Sequence, residues 1–313
     1  MRYGSLVIAA SILFASNASV LCVLSNEMIS DLVTGDIAKL KKSKGFATKI
    51  KERDPGGKTA LHYIVLSGNI PGVKELIGMK LVVDAKDKEG RTPLLSMYQS
   101  PLSNKNPKAF FEIGKFLVSK GADPKILDSK TKANVLHYIA PVNEKLEDFK
   151  FFVDKGADIN QVAVIGQQEA TPVSMVFTYF SADIAKHITE KVTEGLEVTE
   201  KSLDLATKGL AAMKKTFDEK ILQQEGMIAR LPAEVKKGSG SAIRAEIGKA
   251  KVEFNKKYAV MPTLLNNLKA AVATLRQAQD SAKASTDRQD DRVKEGKVAK
   301  KTGFAVKKKK DKK

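Results

Sequence analysis

Three histidines, one cysteine and a Gly-Lys-Thr triplet are the residues of this 313-residue chain that invite a chemical reading. Gly57-Lys58-Thr59 matches the end of a phosphate-binding loop, in which glycine-rich backbone amides cradle a phosphate and the lysine reaches it. That motif needs another glycine five residues before Gly57, where this chain has Glu52, and it needs a preceding strand that the pattern does not supply. His187 stands beside Lys186 with no cysteine nearby and no histidine three or four residues away, so it reads as a surface residue. No G-x-S-x-G, no H-E-x-x-H and no paired cysteine occurs, and no three-point catalytic geometry can be drawn. The chain reads as a non-enzyme with no cofactor and no metal. Cys22 alone allows no intrachain disulfide framework, and the bulky Leu21 before it disfavours lipid attachment, which wants a small residue there.

The remaining polar residues make more sense once the repeats are seen. Asp54-Pro55-Gly56-Gly57-Lys58-Thr59-Ala60-Leu61-His62 recurs 33 residues later as Asp87-Lys88-Glu89-Gly90-Arg91-Thr92-Pro93-Leu94-Leu95. A third copy starts at Asp128 and carries Asn134-Val135-Leu136-His137, and a fourth carries Thr171-Pro172-Val173-Ser174. Gly121-Ala122-Asp123-Pro124 and Gly156-Ala157-Asp158-Ile159-Asn160 each close an amphipathic helix. Upstream, Leu32 to Leu40 reads as the join between two helices of a degenerate first unit. Period and motifs together resemble the T-P-L-H and G-A-D-x-N signatures of the ankyrin-repeat family, over about residues 26–193 and about five units.

Each of these residues has a mechanical task. Thr59, Thr92 and Thr171 stand where a hydroxyl caps a helix, and Pro93 and Pro172 fall in the first turn, where a missing amide hydrogen costs nothing. Gly57 and Gly90 suit tight turns, and Gly121 and Gly156 suit left-handed helix ends. One unit cannot bury its own apolar face. Stacking would set Leu61, Ile64, Val73, Leu76 and Ile77 on Leu94, Met97, Phe116 and Leu117, and those on Leu136, Ile139, Phe149 and Phe152. Residues 100–108 are an insertion that must loop out between two helices. The fold expected is all-α, an ankyrin-repeat solenoid.

The resemblance also implies where partners would sit. His62 and His137 occupy the fourth place of the T-P-L-H signature, where the family's imidazole bonds backbone near the turn at the tip of each unit. Tyr63 and Tyr138 follow them, at a position that faces the family's concave surface, and Ser96 and Met175 hold the matching place in the other units. The tips offer Arg53, Asp54, Lys86, Lys88, Arg91, Lys130 and Lys132, a mostly basic set that suits a partner protein with an acidic surface.

After Glu194 the pattern changes. Leu196, Leu203, Ala206, Leu210, Met213, Phe217, Ile221, Ile228 and Leu231 draw one apolar stripe, and further stripes run from Ile243 to Tyr258 and from Leu265 to Ala278. Breaks at Pro232, Gly238 to Gly240 and Pro262 make 194–283 a helical hairpin or three-helix segment, able to extend the stack, to form a bundle or to self-associate. Residues 284–313 are expected to be a disordered, basic tail. The net charge of +18 is concentrated there, because 294–313 hold 10 Lys against Glu295 and Asp311. Lys307, Lys308, Lys309, Lys310, Lys312 and Lys313 could hold an anionic membrane or a nucleic acid.

The start reads as an export signal, residues 1–18, with Arg2, an apolar run from Leu6 to Phe14, and cleavage after Ala18. Its alternative is an uncleaved membrane anchor over 6–24. The expectation is an exported, non-catalytic adaptor or effector that binds proteins. The alternatives are an envelope protein self-associating through 194–283, and a nucleic-acid binder working through the tail.

Overall fold

The computed structural model describes residues 24–310 apart from residue 238. The export segment, Cys22, Lys312 and Lys313 lie outside the described residues. Helix makes up 68% of the chain, so the class is mostly α.

Short helices come in pairs. The first pair is α1 (Asn26–Thr34) and α2 (Ile37–Lys42), followed by the single turn α3 (Phe46–Lys49). Then come α4 (Ala60–Ile64) with α5 (Ile70–Gly78), α6 (Pro93–Gln99) with α7 (Pro107–Ser119), and α8 (Val135–Ile139) with α9 (Leu146–Asp154). A two-stranded antiparallel hairpin, β1 (Ala163–Ile165) and β2 (Gln168–Ala170), precedes α10 (Pro172–Thr178) and α11 (Ala182–Thr193). The chain ends with the long α12 (Glu200–Ala229), the short α13 (Ala233–Lys237) and the longest helix, α14 (Ser239–Lys310).

These pairs stack in two rows. In one row α1 packs on α4, α4 on α6, α6 on α8, and α8 on α10. In the other, α5 packs on α7 and α9 on α11, while Phe111 of α7 meets Phe151 of α9 edge to face at 5.8 Å. Leu61, Ile64, Val73, Leu76, Leu94, Met97, Leu117, Leu136, Ile139, Phe149 and Phe152 are all buried in one continuous core. Each such side chain contributes about 1.5–3 kcal/mol by leaving water, which no single helix pair could gather alone. Ile77 and Phe116, expected in that core, are only half-buried at its edge.

The segment after Glu194 continues the same rows. α12 packs on α10 and α14 packs on α11, the placement a further helix pair would take. Leu203, Ala206 and Leu210 of α12, with Met261, Leu265, Leu268 and Val272 of α14, join the core of the stack. The entry repeats earlier chemistry: Thr199 caps α12 by accepting the Ser202 amide, as Thr171 caps α10 by accepting the Ser174 amide. The other face of α12 carries exposed Glu200, Asp204 and Lys208, so the stack stops there. At about 1.5 Å per residue, α12 is some 45 Å long and overhangs its short neighbours. The overhang pairs with the start of α14 through a small second core of Ile221, Ile228 and Ile247.

The class agrees with the all-α expectation, with a short hairpin turned at Gly166 (φ 68°) added to it. Three expectations need correction. Residues 100–108 do not simply loop out: they form a 3-10 turn over Pro101–Asn104 that buries Ser103, and Pro107 already opens α7. α14 runs through Pro262 instead of breaking. The ring removes one helical hydrogen bond, but Met261, Leu265 and Leu268, packed on either side of it, hold the helix in line. Finally, the stretch expected to be disordered from 284 is helical as far as Lys310. Among the described residues no helix is long and apolar enough to cross a membrane.

Candidate protein-binding surface

Between successive pairs the chain projects as a finger, at 54–59, 87–92, 128–134 and the β1–β2 hairpin. The first three fingers each begin with an aspartate whose carboxylate turns inward. Asp54 accepts the Lys58 amide at 2.7 Å. Asp87 accepts the amides of Glu89 at 3.0 Å and Arg91 at 2.8 Å, and Asp128 accepts those of Lys130 and Thr131, both at 2.8 Å. A short carboxylate that bonds its own backbone this way fixes a tight turn. Neighbouring fingers are then tied together, as the Lys88 amide donates to Gly56 (2.9 Å), Ser129 to Glu89 (2.9 Å) and Val164 to Thr131 (2.8 Å). The four fingers form one backbone-bonded edge.

The two signature histidines lock fingers to helices. Nδ1 of His62 accepts the Thr59 amide at 3.0 Å, while its Nε2 donates to the Arg91 carbonyl of the next finger at 3.0 Å. Nδ1 of His137 likewise accepts the Asn134 amide at 3.1 Å. Burial pushes both imidazoles down, His137 to about 4, so both are neutral near pH 7. His187 is also pushed down, by burial and by the cations Lys150 and Lys191. Among the described residues no three His, Cys, Asp or Glu side chains are grouped as metal ligands.

The expected contact residues divide into two groups. Arg53, Asp54 and Arg91 are engaged within the fold. Arg53 donates to the carbonyls of Gly57 (2.6 Å) and Lys86 (2.8 Å), and Arg91 is held by Asp87, Glu89 and Gln99. Tyr63 donates to the Asp54 carboxylate with Lys58 over its ring, and burial with that carboxylate pushes its phenol up. Tyr138 is half-buried, and burial pushes its phenol up. Met175 is 7% exposed on α10, the helix that α12 packs on, so it offers no contact surface. Ser96 lines a shallow depression of about 320 Å³ with Lys58, His62, Arg91 and Gln99, and its Oγ has no partner.

Lys86, Lys88, Lys130 and Lys132 form the second group. All four are exposed and none makes an ion pair among the described residues. Asp87 and Asp128 face inward and the exposed Glu89 is held by Arg91, so the first three fingers present mostly ammonium groups, while Glu169 adds an exposed carboxylate on the hairpin. Lys132 also adopts φ 62°, a left-handed turn that its unit fills without a glycine. Lys307 to Lys310 end α14, away from this rim in sequence and without a described side-chain site.

One buried polar group escaped the sequence. Lys145 is 1% exposed, donates to Ser103 Oγ at 2.7 Å and sits 5.1 Å from the centre of the Tyr98 ring. Tyr98 donates to Asp148 at 2.6 Å. Burial pulls Lys145 down to about 8 and pushes Asp148 up to about 6. Such shifts mark many catalytic sites, but a substrate could reach these atoms only by opening the core. The group ties the 101–104 turn to α9, a structural task. Comparison of the chain with protein-family models and with curated proteins gives no match.

Proposed function

We propose that this chain is an exported ankyrin-repeat protein that acts without catalysis, binding a partner protein through the finger rim and the helix row behind it. The observation that carries this reading is the rim itself: four exposed lysines on turns that hydrogen bonds hold rigid, with the carboxylates of Asp87 and Asp128 turned away from solvent. A preformed surface loses little entropy when it binds, and cations fixed on one edge favour an acidic partner. The 33-residue repeat, its threonine and asparagine caps and the His62 bridge to the next finger support the ankyrin assignment. Export rests on residues 1–18.

The test is crosslinking with mass spectrometry on the exported protein, set against a variant carrying Lys86→Glu, Lys88→Glu, Lys130→Glu and Lys132→Glu. Partner crosslinks should map to residues 54–134 and fall at least tenfold in the variant, while the same four positions changed to Arg keep them. Crosslinks confined to the end of α14, lost on deleting 294–313 and unaffected by the rim variant, would assign binding to the tail instead.

A further inference from the structure

Where α12 overhangs the stack, its outer face carries Glu219, Leu222, Gln223, Gly226, Met227 and Arg230, spaced by three and four so that they share one side. They line a shallow depression of about 430 Å³. Leu222 is 71% and Met227 63% exposed, whereas Ile221 and Ile228 beside them are buried. Gly226 stands in the last turn of α12 with open space where a Cβ would be, so nothing packed against it calls for the poorest helix former after proline.

Read in reverse about the point between Gln224 and Glu225, the row matches itself. Glu219 falls opposite Arg230, Leu222 opposite Met227, and Gln223 opposite Gly226. That is the rule for a twofold contact, in which one residue meets a second and the second meets the first. We propose that a second copy of this chain docks antiparallel on this face of α12. Two acid–base pairs then close the ends, the apolar side chains cover each other, and Gln223 of each copy fills the space over Gly226 of the other. Arg230 makes no ion pair among the described residues, and Glu219 has only Lys215 at 3.8 Å. The inference stands apart from the role of the finger rim.

The contact is short, so the dimer should be reversible, with dissociation on the order of micromolar. Sedimentation velocity of the full chain over a concentration series tests it. Glu219→Arg alone and Arg230→Glu alone should each weaken the dimer at least tenfold, and the double variant should restore it, because the swapped charges again face their opposites. Gly226→Ala should weaken the dimer while raising the melting temperature, which separates association from folding. A chain that stays monomeric up to concentrations on the order of 1 mM, or single reversals that leave the dimer intact, or a double variant no better than the singles, would overturn the proposal.

Discussion

Acid should loosen the third finger through one ring nitrogen. In the folded chain Nδ1 of His137 accepts the Asn134 amide at 3.1 Å, so a proton placed there turns an acceptor into a donor and breaks the cap. Burial holds this imidazole near 4, against about 6.5 in an unfolded chain. Between those values the unfolded state binds more protons, so stability is intact above pH 6.5 and is lost as the pH falls towards 4. At pH 5 the linkage relation gives a loss of about 2 kcal/mol, nearing about 3 kcal/mol once both states are protonated. Other groups titrate too, and Asp148, raised to about 6, acts in the opposite sense, so the comparison must isolate His137. His137→Gln does this, because a glutamine at the third helical position can accept the same amide and does not titrate. Urea unfolding at constant salt should show the wild type losing about 2 kcal/mol relative to His137→Gln between pH 7.5 and pH 5. A difference that stays flat, or a His137 titration centred near 6.5, would refute the reasoning.

Three further outcomes follow from backbone geometry. Gly90 has φ 77°, and a Cβ there would lie 1.9 Å from Ser129 Oγ, so Gly90→Ala should cost about 1–3 kcal/mol in thermal or urea unfolding. Lys132→Gly, at φ 62°, should instead gain about 1 kcal/mol in the same assay. Phe180 (φ 62°) packs edge to face on Phe254 and Tyr258, at 5.3 and 6.3 Å between ring centres. Removing the ring should destabilise, but Phe180→Gly should melt higher than Phe180→Ala, since only alanine keeps the left-handed cost of about 1–2 kcal/mol. The reverse order would show that the turn is not left-handed.

Features set by nearby residues were the most legible. Thr92 and Thr171 cap their helices, and Leu61, Leu94 and Leu136 are buried, because each depends on neighbours within a few positions and on the helical period. Features set by distant partners were not. Nothing near Lys145 in sequence marks it as buried, since its partners Ser103 and Tyr98 lie more than forty residues away. Arg53 and Arg91 read as free cations, yet carbonyls and carboxylates of the fingers occupy them. Extension of the rows by α12 and α14 was only one of the options open in the sequence, because their length and the missing proline and histidine obscured it. The cue was present in Thr199-x-x-Ser202 repeating Thr171-x-x-Ser174, and in Gly195 (φ 106°) ending α11 as Gly156 (φ 85°) ends α9. Pro232 and Pro262 looked alike in sequence; only packing on α11 distinguishes the one that breaks a helix from the one a helix absorbs.

Everything proposed for the rim and for the overhang depends on a single continuous stack that ends in α12 and α14. Native-state hydrogen exchange of the full chain tests this most directly, comparing the amides of Leu203 to Leu210 in α12 with those of Val173 to Phe177 in α10. If α12 shares the core of α10, both segments open with the same free energy, within about 1 kcal/mol, and respond equally to denaturant. Free exchange in α12 beside a protected α10 would contradict it, and would make 194–283 a separate attachment.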